Sequence, residues 1–150
     1  MASLIDMQFA PALVAVRRRL GLTQGACAVA AGIDATRLSS IERGRIAAPS
    51  EDFIARFSQA VGLSDEERGE LIFLARRDRM LREAKRILPA KALGLLDASL
   101  SAAHVLAEED LREVERGIRD MVQAKLRLFA IATGRSASDS PSSGKEPPID

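Results

Sequence analysis

The chain contains no Trp and no Tyr, five Phe, one His and one Cys in 150 residues. With aromatics at 3%, a packed core has to come from Leu, Ile, Val and Ala, and the 47% hydrophobic fraction is sufficient for one. The lone Cys27 cannot make an intramolecular disulfide, which fits a reducing compartment. His104 lacks the spaced companions of a metal site, and Cys27 reads as a small buried hydrophobe. A glycine-rich phosphate loop and the Ser/His/Asp and Cys/His constellations are also missing. The expectation is therefore no catalytic residue, no metal and no cofactor. Long apolar runs are absent too. Leu4 to Val16 is interrupted by Asp6 and Gln8, and the arginines follow it, the wrong order for a secretory signal. A cytoplasmic protein without membrane contact is expected. The formal net charge of +1 gives no bulk attraction for nucleic acid.

What is present is organised around Leu20–Gly44, LGLTQGACAVAAGIDATRLSSIERG. Thr23 can cap a helix over Gln24 to Ala31, its hydroxyl accepting from a free N–H of the first turn. Cys27, Ala28 and Ala31 then share a face. Gly32 follows, where a helix ends in a left-handed residue that Gly adopts cheaply. Asp34 caps a second helix with Leu38 and Ile41 as its apolar side, and Gly44 closes it. Two short helices around a Gly-containing turn are the outline of a helix-turn-helix. Charge is distributed to match: from Met1 to Leu63 there are seven Arg and no Lys against five acids. All seven lie between Arg17 and Arg56, where they can make one basic face.

This stretch resembles the lambda-repressor-like, Xre-type helix-turn-helix family of bacterial and phage regulators. The resemblance rests on Arg17, the run Leu20 to Gln24, Ala28, Gly32-Ile33, Leu38-Ser39 and Ile41 to Gly44. Arg45 and Pro49 sit where the family often has a basic residue and a proline. It spans Phe9 to Leu63, less than half the chain. Two departures stand out. Cys27 fills a core position usually held by Leu, and Gly25-Ala26 replaces a polar pair, which should weaken the first helix of the motif.

Around the motif, Met1 to Met7 reads as a loose arm. Phe9 to Leu20 reads as a first helix with Leu13, Val16 or Arg17, and Leu20 inward and Arg18 and Arg19 outward. Ser50 caps a fourth helix with Phe53, Ile54, Phe57 and Val61 on its apolar face. Ser64 and Glu67 form a capping-box signature for a fifth. That helix can run through Leu71, Leu74, Ala75, Leu81 and Ile87 to Pro89, longer than the family's short closing helix. Lys91 to Val105 is ambiguous, with Gly94 inside it and a possible break over Asp97 to Ser101. After Glu108-Glu109-Asp110, Leu111, Val114, Ile118, Met121, Lys125 and Leu128 recur at steps of three and four, a heptad-like stripe with one polar position. The expected architecture is all-α: a five-helix, lambda-repressor-like domain over 1–66, a helical dimerisation or partner-binding region over 67–133, and a disordered tail over 134–150.

The resemblance implies that the second motif helix lies in the DNA major groove, placing Ala35, Thr36 and Ser40 at base edges with Arg37 beside them. Of these, Arg37 alone can bond guanine O6 and N7 bidentately; a phosphate contact is the competing role. Thr23 and Gln24 fall where the family meets the DNA backbone, and Arg43 and Arg45 are natural phosphate clamps. Arg17 and Glu42 match positions that pair within the domain. The cluster Arg76, Arg77, Arg79, Arg82, Lys85 and Arg86 could extend the DNA footprint, dock an acidic partner or RNA polymerase, or pair with the acids at Glu108 to Glu115, the last being favoured. The implied function is a homodimeric, nucleoid-associated transcriptional regulator, repressor or activator, reading a palindromic site in double-stranded DNA. The alternative is an antitoxin or anti-activator-like protein whose C-terminal helices bind another protein.

Overall fold

The computed structural model describes residues 4–134, and all regular secondary structure among them is helical. The expected tail from residue 135 onward lies outside the described residues. The helices are α1 (Phe9–Arg19), α2 (Gln24–Ala31), α3 (Ala35–Glu42), α4 (Glu51–Val61), α5 (Asp65–Ile87), α6 (Ala90–Val105) and α7 (Glu108–Ala132). They fall into two compact units that divide between Val105 and Leu106.

Local chemistry sets the helix ends of the first unit. Thr23 Oγ1 accepts from Ala26 N at 3.1 Å, Asp34 Oδ1 from Arg37 N at 2.8 Å, and Ser50 Oγ from Phe53 N at 3.4 Å. Each satisfies an N–H that has no partner inside its own helix. At α5 the capping box is reciprocal: Glu67 N donates to Ser64 Oγ while Ser64 N donates to Glu67 Oε2. At the other end of α2, Gly32 has φ 66°, and Ile33 N reaches back to Ala28 O at 3.0 Å.

The core is shared by α1 to α5. Phe9, Leu13, Cys27, Leu38, Ile41, Ile54, Phe57, Leu71 and Leu74 are all buried in one cluster. The boundary expected after residue 66 thus falls in the first turn of α5, whose Leu71, Leu74 and Ala75 complete that core. Farther along α5 the apolar face runs out; Ile87 is 82% exposed. Helix α6 packs on α5 and is unbroken. Its polar stretch is accommodated: Arg77 bonds Asp97, and the Ser99 and Ser101 hydroxyls donate to the carbonyls of Leu95 and Asp97. His104 stacks on Phe73 with ring centroids 3.9 Å apart.

The arm before α1 departs from expectation over residues 4–7. Leu4 N donates to Glu70 Oε2 at 3.1 Å, and Leu4 and Met7 pack on the core. Buried Arg77 donates from Nη1 to the carbonyls of Ile5 and Met7. A charge-assisted donor that satisfies two backbone acceptors pins the segment.

In the second unit, α7 is a 25-residue helix with Glu108, Glu109 and Asp110 in its first turn, where the macrodipole favours negative charge. Glu108 pairs with Arg112 and Glu115 with Arg119, each four residues on, the spacing at which helix side chains meet.

Candidate nucleic-acid interface

The face of α3 is built from its cap outward. Asp34 holds the first turn, Leu38 and Ile41 anchor one side in the core, and Ala35, Thr36 and Arg37 stand exposed on the other. Ser40, one turn on from Thr36, is half-buried. The structure therefore brings the four expected base-reading residues onto one short helix, with the first three open to solvent. Gly44 lets the chain turn back after α3: it has φ 65°, and Arg45 N donates to Ser40 O at 2.9 Å.

Behind this face lies a polar network that fixes α3 against α1 and α2. Arg17 Nε donates to Glu42 Oε1 at 2.5 Å and Nη2 to Glu42 Oε2 at 3.0 Å, the two-pronged geometry that suits guanidinium and carboxylate. Arg17 Nη1 also donates to Leu22 O at 3.1 Å, tying down the turn between α1 and α2. The pair is largely withdrawn from water, with the side chains 14% and 5% exposed. The bond to Glu42 raises the Arg17 guanidinium above its ordinary value. Gln24 joins the network, its Nε2 donating to Glu42 Oε2 at 2.9 Å. The side chain expected on the DNA backbone is thus held in place by the carboxylate that orients α3. Thr23, expected beside it, uses its hydroxyl as an acceptor for the α2 cap.

Cations flank the face. Among the described residues, Arg18, Arg37, Arg43 and Arg45 have no acid within ion-pair distance, and all are exposed. Arg19 by contrast pairs with Glu67. Arg45 also lines a groove with Arg79, Arg82, Lys85 and Arg86 from α5.

The basic residues of α5 find partners other than the favoured ones. Arg76 bonds Glu51 through two nitrogens, Arg77 bonds Asp97, and Arg79 meets Pro49 O and Glu51. Arg82 donates to Asp78 and, at 2.7 Å, to Gly44 O; Asp78 in turn accepts from Ala48 N at 2.9 Å. Arg79 and Arg82 thus brace the loop between α3 and α4, and Glu108 and Glu115 are served by arginines of their own helix. Apart from Arg82 and Asp78, four residues apart, sequence spacing carries no sign of these contacts, because their partners are backbone carbonyls and acids twenty or more residues away.

Cys27 is fully buried, and burial first, then the Glu42 charge, pushes its thiol above the ordinary range. Such a thiol is protonated and unreactive. Among the described residues no three His, Cys, Asp or Glu side chains gather to hold a metal, and no helix is long and apolar enough to cross a membrane.

Residues 8–71 match a family model described as a helix-turn-helix domain. The match begins at the N-cap of α1 and ends at buried Leu71 in α5, so it covers the helices that hold the α3 face. No curated protein and no solved structure matches the chain. The chain carries an N-terminal helix-turn-helix domain in an all-helical fold, and that domain points to DNA binding.

Proposed function

We propose that this chain is a sequence-specific transcriptional regulator of the Xre type, not an enzyme, that works on DNA in the cytoplasm as a homodimer at a palindromic site. The observation that carries the reading is the α3 face. Ala35, Thr36 and Arg37 project from a helix start capped by Asp34 and locked from behind by Arg17, Gln24 and Glu42. A short helix so braced can enter a major groove, with Arg37 at base edges and Arg43 and Arg45 at phosphates. One such helix reads only a few base pairs, so two linked copies are needed for useful affinity. The test is selection from random duplex DNA with the full chain and with the Arg37→Ala/Ser40→Ala variant. An enriched palindrome that disappears with the variant supports the reading; no enrichment at low salt sinks it.

A second reading draws on α7, where Met121, Leu128, Phe129 and Ile131 are exposed. An apolar face of this kind also suits a protein partner, as in an antitoxin or anti-activator. A partner that co-purifies stoichiometrically with the full chain, and is lost when this face is made polar, would favour it.

A further inference from the structure

Helix α7 carries two interleaved sets of residues at a seven-residue repeat: Leu111, Ile118 and Lys125 in one, Val114, Met121 and Leu128 in the other. Val114, Ile118, Met121 and Leu128 are exposed. Charge along the helix is uneven. Between Glu108 and Asp120 there are six acids and three arginines, whereas Met121 to Ala132 holds Lys125, Arg127 and no acid.

We infer that α7 pairs with α7 of a second copy of this chain in antiparallel order, with the two-fold axis between Arg119 and Asp120. The inference rests on the dimeric reading above and adds its direction and register. About that axis, Leu111 lies opposite Leu128, Val114 opposite Lys125 and Ile118 opposite Met121. All six stripe residues are then used, and every layer takes one residue from each set. Lys125 comes within one residue of Glu113 and Glu115 of the second copy, and Gly117 lies across from Ala124, leaving one flank thin enough for close approach. A parallel pair does the opposite. It stacks Lys125 on Lys125, sets Asp110 beside Glu115, and brings the two acidic ends together, contacts that select against that alignment.

The test uses full-length Leu111→Cys and Leu128→Cys variants, one of them carrying a size tag, mixed and oxidised. Leu128 is exposed and Leu111 half-buried in the α7 stripe, and buried Cys27 stays silent, with the unsubstituted chain as control. The expected result is a disulfide between the two variants, with the self-linked species lost. Ile118→Cys mixed with Met121→Cys, nearer the axis, should behave alike. Self-linked species in place of the mixed one would overturn the antiparallel order and leave the dimer standing. No cross-link in either mixture, together with a monomer in sedimentation, would overturn the pairing and the dimeric part of the proposed function at once. DNA selection would then still decide the rest of that function separately.

Discussion

Replacing Glu42 by Gln isolates what the buried network contributes, because volume is kept and one charge is removed. In the native chain the Glu42 carboxylate accepts from Arg17 Nε, Arg17 Nη2 and Gln24 Nε2. An amide has one acceptor oxygen, so the variant leaves the Arg17 guanidinium without a counter-charge and at least one donor unmet. Breaking a fully buried pair costs about 3–5 kcal/mol. Arg17 is 14% exposed and keeps its bond to Leu22 O, so part of that cost is relieved. The expected loss is about 2–3 kcal/mol. With a urea slope of about 1.5 kcal/mol/M the midpoint falls by roughly 1.3–2 M. The chain has no Trp or Tyr to report unfolding, but its one thiol does so. Cys27 is fully buried in the first unit, so pulse labelling of the thiol against urea follows that unit alone. Replacing both partners, Arg17→Met with Glu42→Met, should recover most of the loss, since an apolar pair strands no charge. A midpoint shift below about 0.3 M for Glu42→Gln, equivalent to ~0.5 kcal/mol, would show that water already screens the pair.

Arg37→Ala should reduce discrimination between target and random DNA by about 1–3 kcal/mol, measured by competition binding; equal loss on both would leave Arg37 a phosphate role. Arg43→Ala and Arg45→Ala should each lower the slope of log K against log salt by about 0.9, with little change in sequence preference. Ser58 is buried in α4 with its hydroxyl unpartnered, so Ser58→Ala should raise stability by about 1 kcal/mol at an unchanged urea slope. At Glu67, partial burial pushes the carboxyl up, but bonds from the Ser64 N–H and hydroxyl and the Arg19 charge outweigh it, leaving it below the usual range. A carboxyl held low in the folded state contributes stability that is complete above its unfolded value, about 4.3, and is lost as pH falls through the folded value. Melting temperatures between pH 3 and 7 should therefore drop less steeply on the acid side for Glu67→Gln.

The helices were legible where their ends are written in neighbouring residues. Thr23, Asp34, Ser50 and Ser64 each accept from an N–H three residues on, so the sequence alone carries both halves of the contact. The long reach of α5 was legible for the same reason, its capping box at one end and Pro89 beyond the other. What hid α6 was the opposite situation. Asp97 is poor helix material in isolation and becomes acceptable only when Arg77, twenty residues earlier, supplies a charge partner. The arm over residues 4–7 looked loose because its anchors, Glu70 and Arg77, belong to a helix more than sixty residues away.

That distinction also divides the candidate site. The exposed half of α3 follows from its cap and its apolar spacing, and both are local. The pairing of Arg17 with Glu42 could be anticipated only through resemblance to a family, since nothing in the spacing of two residues 25 apart selects one partner over another. The share that Gln24 takes of the same carboxylate had no such precursor. Nor did Arg82, whose donation to Gly44 O fastens the end of the α3 turn to α5, beyond the stretch that matches the helix-turn-helix family. A helix as short as α3 is marginal by itself. Here it is held at its start by a cap, along its back by a buried ion pair, and past its end by an arginine from a longer helix. On the proposed function, specificity and stability divide between different residues, and variants of Arg37 and of Glu42 should separate the two.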